Sequence, residues 1–314
     1  MIHYIHLYSS PGGIEVLLPK IIEKIPSKVI QSFIVRPPVA GQANVYEGKE
    51  IIHLYGSHKN RSAFWKLWLY ARKHKKEIFH VFNIGPLNLL VLRLSGVKKL
   101  VYSIHGTIYW KTPRQKFIRR FFWKLALNKN YQIIANSRFS RACFKNAMNY
   151  KKPIKLVYNP FSSERFSPVS KKENNRLNIT YCGRLANGKN MFTWIDLAVE
   201  IHRQNSNTEF YIYGTGPIEQ QLQKYVAEVG MKEQIHFMGF SKNIAEAYRA
   251  ADLLIFLSEY ESFGNVAVES ILCGTPVIVS DIPSMKEIFE NYPEFVIPVD
   301  NKLVENVLSK IDKL

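Results

Sequence analysis

Short apolar runs alternate with amphipathic stretches along the whole chain, and this alternation constrains the fold more than any other feature. In the first half the strand-like runs fall at 2–8, 28–35, 77–83, 98–105, 131–136 and 154–158. Helical periodicity falls there at 13–25, 61–76, 86–95, 113–129 and 137–149. In the second half the strand-like runs are 177–183, 209–213, 235–239, 252–257, 276–280 and 295–299. The helical ones are 190–204, 217–229, 243–250, 265–273, 284–290 and 301–312. Such alternation requires right-handed crossovers and a parallel sheet in each half. The stretch 160–176, rich in Pro, Ser and charge, reads as the linker. The expected class is α/β, with two doubly wound, Rossmann-like domains at 1–160 and 161–314. Ligands of such sheets sit beyond the carboxyl ends of the strands, so two of them facing each other make a cleft.

A chain of 314 residues with 46% hydrophobic and 22% charged residues can bury two full cores. The three cysteines, Cys143, Cys182 and Cys273, have no paired spacing, which argues against a disulfide framework or a cysteine zinc site. No run of 18 apolar residues occurs, and the chain opens on Ile2-His3-Tyr4-Ile5-His6 with no cleavable apolar segment. A cytoplasmic protein is expected. Charge divides unevenly: residues 1–160 hold 28 Lys and Arg against five Glu and no Asp, a net +23. The remainder holds 15 against 20, a net −5. The split suggests two domains with different partners, the basic one facing anionic lipid, nucleic acid or an acidic substrate.

Residues with chemistry gather at the predicted strand ends. Gly12-Gly13 lies at a strand-to-helix turn, either a phosphate cradle or a plain turn. It lacks the G-x-G-x-x-G spacing of dinucleotide enzymes. His105-Gly106 ends the strand 98–105. Arg184 and Lys189 lie five apart beside a helix start, a combination matched to a diphosphate. Gly214-Thr215-Gly216-Pro217 is another tight turn, of phosphate or purely structural use. In Glu261-Ser262-Phe263-Gly264-Asn265-Val266-Ala267-Val268-Glu269, Gly264 opens a helix whose N–H groups suit phosphate. Glu269, further along that helix, suits a ribose diol. No D-x-D pair and no histidine metal triad appear, so no metal is expected.

The spacing of Glu261 and Glu269 resembles the signature of retaining GT-B glycosyltransferases, best glycosyltransferase family 4. The Gly12-Gly13 loop, His105-Gly106, Asn136-Ser137, Tyr158-Asn159-Pro160, Gly183-Arg184-Leu185 with Lys189, Gly214-x-Gly216-Pro217 and Phe237-Met238-Gly239-Phe240 agree in order. Asn159-Pro160-Phe161 stands where Asn-Gly-Val is commoner, and the end is shorter than the family's usual crossing helix. The resemblance implies that Arg184 and Lys189 hold a nucleotide-sugar's diphosphate and that Glu269 binds the ribose. Glu261 would contact the sugar, with backbone N–H groups of Gly264, Asn265 and Val266 on sugar and phosphate. His105 would lie by the transferring centre, and Gly12, Gly13 and Gly216 near the donor. The nucleotide-sugar would be a substrate, with no cofactor needed.

In the basic half, Phe64, Leu67, Trp68 and Ala71 read as one helix's core stripe, with Trp65, Leu69, Arg72 and Lys76 outward. In 113–129, Phe117, Ile118, Phe121 and Leu125 read as core, with Lys116, Arg119, Arg120, Trp123 and Lys124 outward. Tryptophan among cations suits a membrane surface. No nucleic-acid module appears. The leading expectation is a cytoplasmic-face enzyme moving a sugar, from a UDP-sugar by preference, to a lipid-linked glycan in bacterial polysaccharide assembly (lipopolysaccharide, O-antigen or capsule). An epimerase or phosphorylase on the same plan, or a non-catalytic basic lipid- or nucleic-acid-binding module, are the alternatives.

Overall fold

The computed structural model describes residues 1–5, 31–34, 51–52, 62–106, 112–170 and 175–311, with 31–34, 51–52 and Ser62 by backbone alone. Two compact units emerge, Met1–Tyr158 and Asn159–Leu314. Elements are numbered in chain order over the described residues.

The first unit runs β1 (Ile2–Ile5), β2 (Gln31–Ile34), β3 (Ile51–Ile52), α1 (Ser62–Lys73), β4 (Ile78–Phe82), α2 (Pro86–Leu94), β5 (Lys99–Ile104), α3 (Pro113–Ala126), β6 (Gln132–Ala135), α4 (Arg138–Met148) and β7 (Lys155–Leu156). Its sheet has the order β3-β2-β1-β4-β5-β6-β7, with every pair parallel. The expected helix 13–25 lies outside the described residues, and the two-residue β3 was not expected from the sequence. Buried Ile5, Leu67, Phe79, Val81, Leu89 and Phe144 build the core. Ser137 starts α4 with a capping box: its hydroxyl accepts from Ser140 N–H, and Ser140 Oγ accepts from Ser137 N–H. Asn149 ends that helix in the left-handed region.

The helix α3 corrects the sequence reading. Trp123, expected to face outward among cations, is 4% exposed and packs edge-on to Tyr102 and Phe144. The expected core stripe is the outer face: Phe117 is 76% exposed, and Ile118, Phe121 and Leu125 are exposed with it. Only Trp123 and Ala126 of this helix are buried, so its hydrophobic periodicity marks a surface. Arg120 also departs from expectation. It is half-buried, and its guanidinium donates to Ala147 O (2.6 Å) and Asn146 O (3.0 Å), satisfying the last carbonyls of α4. In α1, Leu67 and Ala71 are buried as expected, whereas Phe64 is exposed.

His80 on β4 lies within 2.7 Å of the buried Ser103 hydroxyl, and burial pushes its pKa down to about 4. The folded chain then refuses a proton that the unfolded chain takes up near pH 6.5. The stability it contributes is therefore complete above pH 6.5 and lost as pH falls toward 4, by up to about 3 kcal/mol. Urea unfolding of wild type should lose more stability from pH 7.5 to 5 than unfolding of His80→Gln. Equal losses would remove His80 from the account.

The second unit runs β8 (Leu177–Cys182), α5 (Met191–Gln204), β9 (Thr208–Tyr213), α6 (Glu219–Glu228), β10 (Ile235–Gly239), α7 (Ile244–Ala250), β11 (Leu253–Phe256), α8 (Asn265–Leu272), β12 (Val277–Ser280), α9 (Pro283–Ile288), β13 (Val296–Ile297) and α10 (Leu303–Ile311). The sheet order is β10-β9-β8-β11-β12-β13, all parallel. Counted within the unit this is 3-2-1-4-5-6, and the order reverses between β8 and β11. Every residue of β11 and β12 is buried, as strands covered on both faces require.

The segment predicted as a linker belongs to this unit over its described residues, 160–170 and 175–176. Phe166 is buried in the core, and Arg249 donates to Ser167 O and Arg165 O, both at 2.9 Å. One large aromatic residue thus anchors a stretch whose composition otherwise signals exposure.

Candidate functional site

Open parallel sheets bind ligands where the strand order reverses, because the loops there diverge and leave room between them. In the second unit that point lies past the carboxyl ends of β8 and β11. The loop 183–190 follows β8 and the loop 257–264 follows β11. They are tied by Glu259 N–H donating to Gly188 O at 2.9 Å, and the Tyr260 ring comes within 2.6 Å of where a Cβ on Gly188 would be.

This meeting of loops places Lys189 against Glu261. The ammonium pairs with the carboxylate, both side chains are 19% exposed, and Ser258 Oγ donates to the same carboxylate at 3.2 Å. Lys189 Nζ also lies 5.5 Å from the centre of the Phe256 ring. The sequence suggested a Lys189–Arg184 cation pair. The geometry instead gives Lys189 a carboxylate partner and leaves Arg184 exposed on the same loop.

Gly264 stands at φ +91°, the left-handed conformation that turns the chain into α8. A Cβ there would lie 2.1 Å from Met285 Cε. Helix geometry leaves the N–H groups of the first turn without acceptors inside α8, and the helix dipole adds partial positive charge. Val266 packs its half-buried side chain against the core. Asn265 accepts a 2.7 Å hydrogen bond from Asn159 Nδ2.

Glu269 is half-buried further along α8, and the buried Tyr248 hydroxyl donates to it at 3.0 Å. Burial first, with the neighbouring Glu269 carboxylate, holds the Tyr248 pKa well above its ordinary value, so this hydroxyl remains a donor. Tyr248 carried no signal in the sequence: its place is set by α7, 21 residues away.

Gly214 and Gly216 have a structural task. A Cβ on Gly216 would lie 1.9 Å from Leu185 O, and one on Gly214 1.8 Å from Gly183 O. These glycines let the loops after β8 and β9 touch backbone to backbone. A part for Gly216 in donor binding rests on the resemblance alone.

In the first unit, half-buried His105 and Gly106 follow β5. Asn83, at φ +48° beyond β4, accepts the His105 N–H at 2.8 Å, and the His105 ring lies tilted against Phe82 at 5.5 Å. Asn83 is a positioning residue that the sequence reading missed. Its signal was an Asn just past a strand end. Gly12 and Gly13 lie outside the described residues. Trp65 (60% exposed), Arg72, Lys76, Lys116, Arg119 and Lys124 are on the surface.

Two family models match this chain. Residues 162–314 fit Glycosyl transferases group 1, and residues 11–165 fit Glycosyltransferase Family 4. The chain belongs to glycosyltransferase family 4. Its two parallel-sheet domains have the GT-B architecture of this family. The WaaG glycosyltransferase, described as involved in lipopolysaccharide biosynthesis, superimposes with a TM-score of 0.79 at 15% identity, covering all of this chain and 91% of WaaG. Anabaena HepE in complex with UDP-glucose gives 0.77 at 19% identity, covering 99% and 90%. Among sequences, an Escherichia coli UDP-Gal:alpha-D-GlcNAc-diphosphoundecaprenol alpha-1,3-galactosyltransferase is 24% identical, over 71% of this chain and 62% of that enzyme. The O-antigen chain mannosyltransferase RfbU of Salmonella typhimurium is 26% identical, over 76% of this chain and 71% of RfbU. In this family 4 chain no described helix is long and apolar enough to cross a membrane.

Proposed function

We propose that the protein moves a hexosyl group from a nucleotide-sugar, a UDP-sugar by preference, to a lipid-linked or membrane-borne glycan, with retention of anomeric configuration, in bacterial surface polysaccharide biosynthesis. One observation carries the reading: Lys189, Glu261, the start of α8 and Glu269 gather at the switch point of a 3-2-1-4-5-6 sheet. Support comes from HepE, solved with UDP-glucose, and from relatives named for diphosphoundecaprenol-linked and O-antigen glycans.

In this reading Arg184, Lys189 and the α8 N-terminus take the charge that builds on the departing diphosphate. Preorganised groups of this kind act without reorganising at the moment of reaction. Glu269, held by Tyr248, accepts the ribose hydroxyls, and Glu261 the sugar's. With two cations at the diphosphate, transfer should continue in a chelator. Thermal shifts with UDP-, GDP- and ADP-sugars test the donor class, since a ligand at 100 times its Kd adds about 2.7 kcal/mol of stability. The largest shift is expected with a UDP-sugar, and none with any donor would end the reading. NMR of the product's anomeric centre tests retention; an inverted product would overturn it.

The two glutamates should separate. Glu269→Gln should weaken binding of free UDP, whereas Glu261→Gln should leave it nearly intact and impair the sugar nucleotide instead. Calorimetric titration with UDP and with the intact donor reads this directly, and equal losses of UDP affinity would refute the division.

The membrane-side reading gains from the correction to α3. Helices α1, α2 and α3 pack side by side in the first unit. They expose Trp65, Leu69, Phe117 and Phe121 with Arg72, Lys116 and Lys124, and the turn after α1 adds exposed Lys76. Apolar side chains among cations suit an anionic inner leaflet, each basic residue near it contributing about 1 kcal/mol. The protein should sediment with anionic vesicles, less so in high salt, and not with neutral ones. Phe117→Ser with Phe121→Ser should loosen it while sparing transfer to a soluble acceptor. Undiminished sedimentation of that variant would show that α3 is not the docking face.

A further inference from the structure

The amino ends of the central strands of the first sheet carry a second cluster of chemistry. His3 is the second residue of β1 and is fully buried. Its Nε2–H donates to Glu77 Oε2 at 2.7 Å, its Nδ1 lies 2.8 Å from the Tyr70 hydroxyl, and its ring stacks on Phe79. Glu77 follows the turn that closes α1, where Glu77 N–H donates to His74 O at 2.9 Å. That turn brings His74 Nδ1 to 3.1 Å from the other oxygen of Glu77. One atom each from His3, His74 and Glu77 then lie within 4.8 Å of one another.

We propose that His3, His74 and Glu77 bind a first-row divalent cation, zinc above all, with water completing the shell. Two imidazoles and a carboxylate are a donor set that zinc accepts in tetrahedral geometry. Zinc at about 2.0–2.2 Å from each donor sets them roughly 3.4 Å apart. The hydrogen-bonded distances of 2.7 and 3.1 Å must open slightly to reach this, and the widest separation in the group, within 4.8 Å, must close; both movements fall on His74 and Glu77, which sit in a turn and are partly exposed. In the metal-free arrangement a proton lies between each imidazole and the carboxylate. A single cation replaces both bridges.

Tyr70 makes the exchange workable. A phenolic hydroxyl both donates and accepts, so it can receive Nδ1–H of His3 and leave the Nε2 lone pair for the metal. That is the outer-shell hydrogen bond that ligating histidines usually make. The cation would clip the start of β1 to the end of α1. It sits at the amino ends of β1 and β4, whereas His105 follows the carboxyl end of β5. Its role is thus to hold the fold of this unit rather than to take part in transfer.

Zinc alone, titrated calorimetrically into the chelator-washed full-length protein, should bind one equivalent and raise the thermal midpoint. Cobalt in its place should show the intense visible bands of a tetrahedral N/O site. His74→Ala and Glu77→Gln, both at partly exposed positions, should remain folded by circular dichroism and lose the site. Tyr70→Phe should keep the stoichiometry with an affinity about 10–100-fold weaker. UDP binding should be unchanged in all three. Absence of zinc binding by wild type, or equal binding by His74→Ala and Glu77→Gln, would overturn the proposal.

Discussion

Lys189→Ala is expected to lower turnover by about a hundredfold or more, the usual effect of removing one fixed group that stabilises charge in the transition state. Lys189 is largely shielded from water and held by Glu261, so its charge is already in place before a substrate arrives. A diphosphate would draw the ammonium partly from that carboxylate, and the carboxylate would then be available to sugar hydroxyls. Removing Lys189 also leaves Glu261 without its cation. Lys189→Ala with Glu261→Gln therefore separates the two effects: if the loss comes from the leaving group, the double variant stays as slow as Lys189→Ala. Arg184→Ala, on the exposed side of the loop, should be smaller in effect because water screens its charge. Both single variants should unfold near the wild-type midpoint. Near-normal turnover in both would remove the diphosphate from this loop.

The residues that sequence reading placed correctly were those whose signal is local. Gly264, Val266 and the strands around them combine turn chemistry with short buried runs, and they lie where expected. The Lys189–Glu261 pair spans 72 residues, and no local pattern predicts it. Tyr248 and Asn83 belong to the same class: each acts on a site residue delivered by another element.

The errors have physical reasons too. Phe117, Phe121 and Leu125 recur every four residues, a periodicity that predicts burial. Periodicity shows that a helix has two faces. Which face is covered depends on what packs against it, and here Trp123 reaches Tyr102 and Phe144 while the phenylalanines remain outside. The segment 160–170 failed in the opposite direction, because its Pro and Ser content concealed one anchoring aromatic, Phe166. Gly214 and Gly216 leave two readings open in the sequence, phosphate or plain turn, because glycine admits both a ligand and a neighbouring backbone. The positions of Leu185 and Gly183, which no local pattern reveals, supply the structural need for glycine at both.

Gly216→Ala should accordingly be among the most damaging substitutions in the second unit. Its Cβ would lie 1.9 Å from Leu185 O and 2.5 Å from Leu185 C, and neither is a side chain that can swing aside. The two backbones are held together by Leu185 N–H donating to Thr215 O at 3.0 Å and Gly183 N–H donating to Tyr213 O at 2.9 Å. Making room requires breaking this pairing, at about 0.5–1.5 kcal/mol per hydrogen bond, and displacing buried Leu185, so a loss of about 3 kcal/mol or more is expected. Gly214→Ala meets a Cβ contact of 1.8 Å and a φ of +132°, and should be worse still. Gly230→Ala supplies the control. It has φ +76° but nothing within 4 Å, so it should lose only the roughly 1–2 kcal/mol that a left-handed conformation costs. Because the displaced loop carries Arg184 and leads to Lys189, Gly216→Ala should also lose UDP binding, while Gly230→Ala keeps it. Urea unfolding with UDP titration ranks the three variants, and a Gly216→Ala as stable as Gly230→Ala would mean that these loops do not depend on close backbone contact.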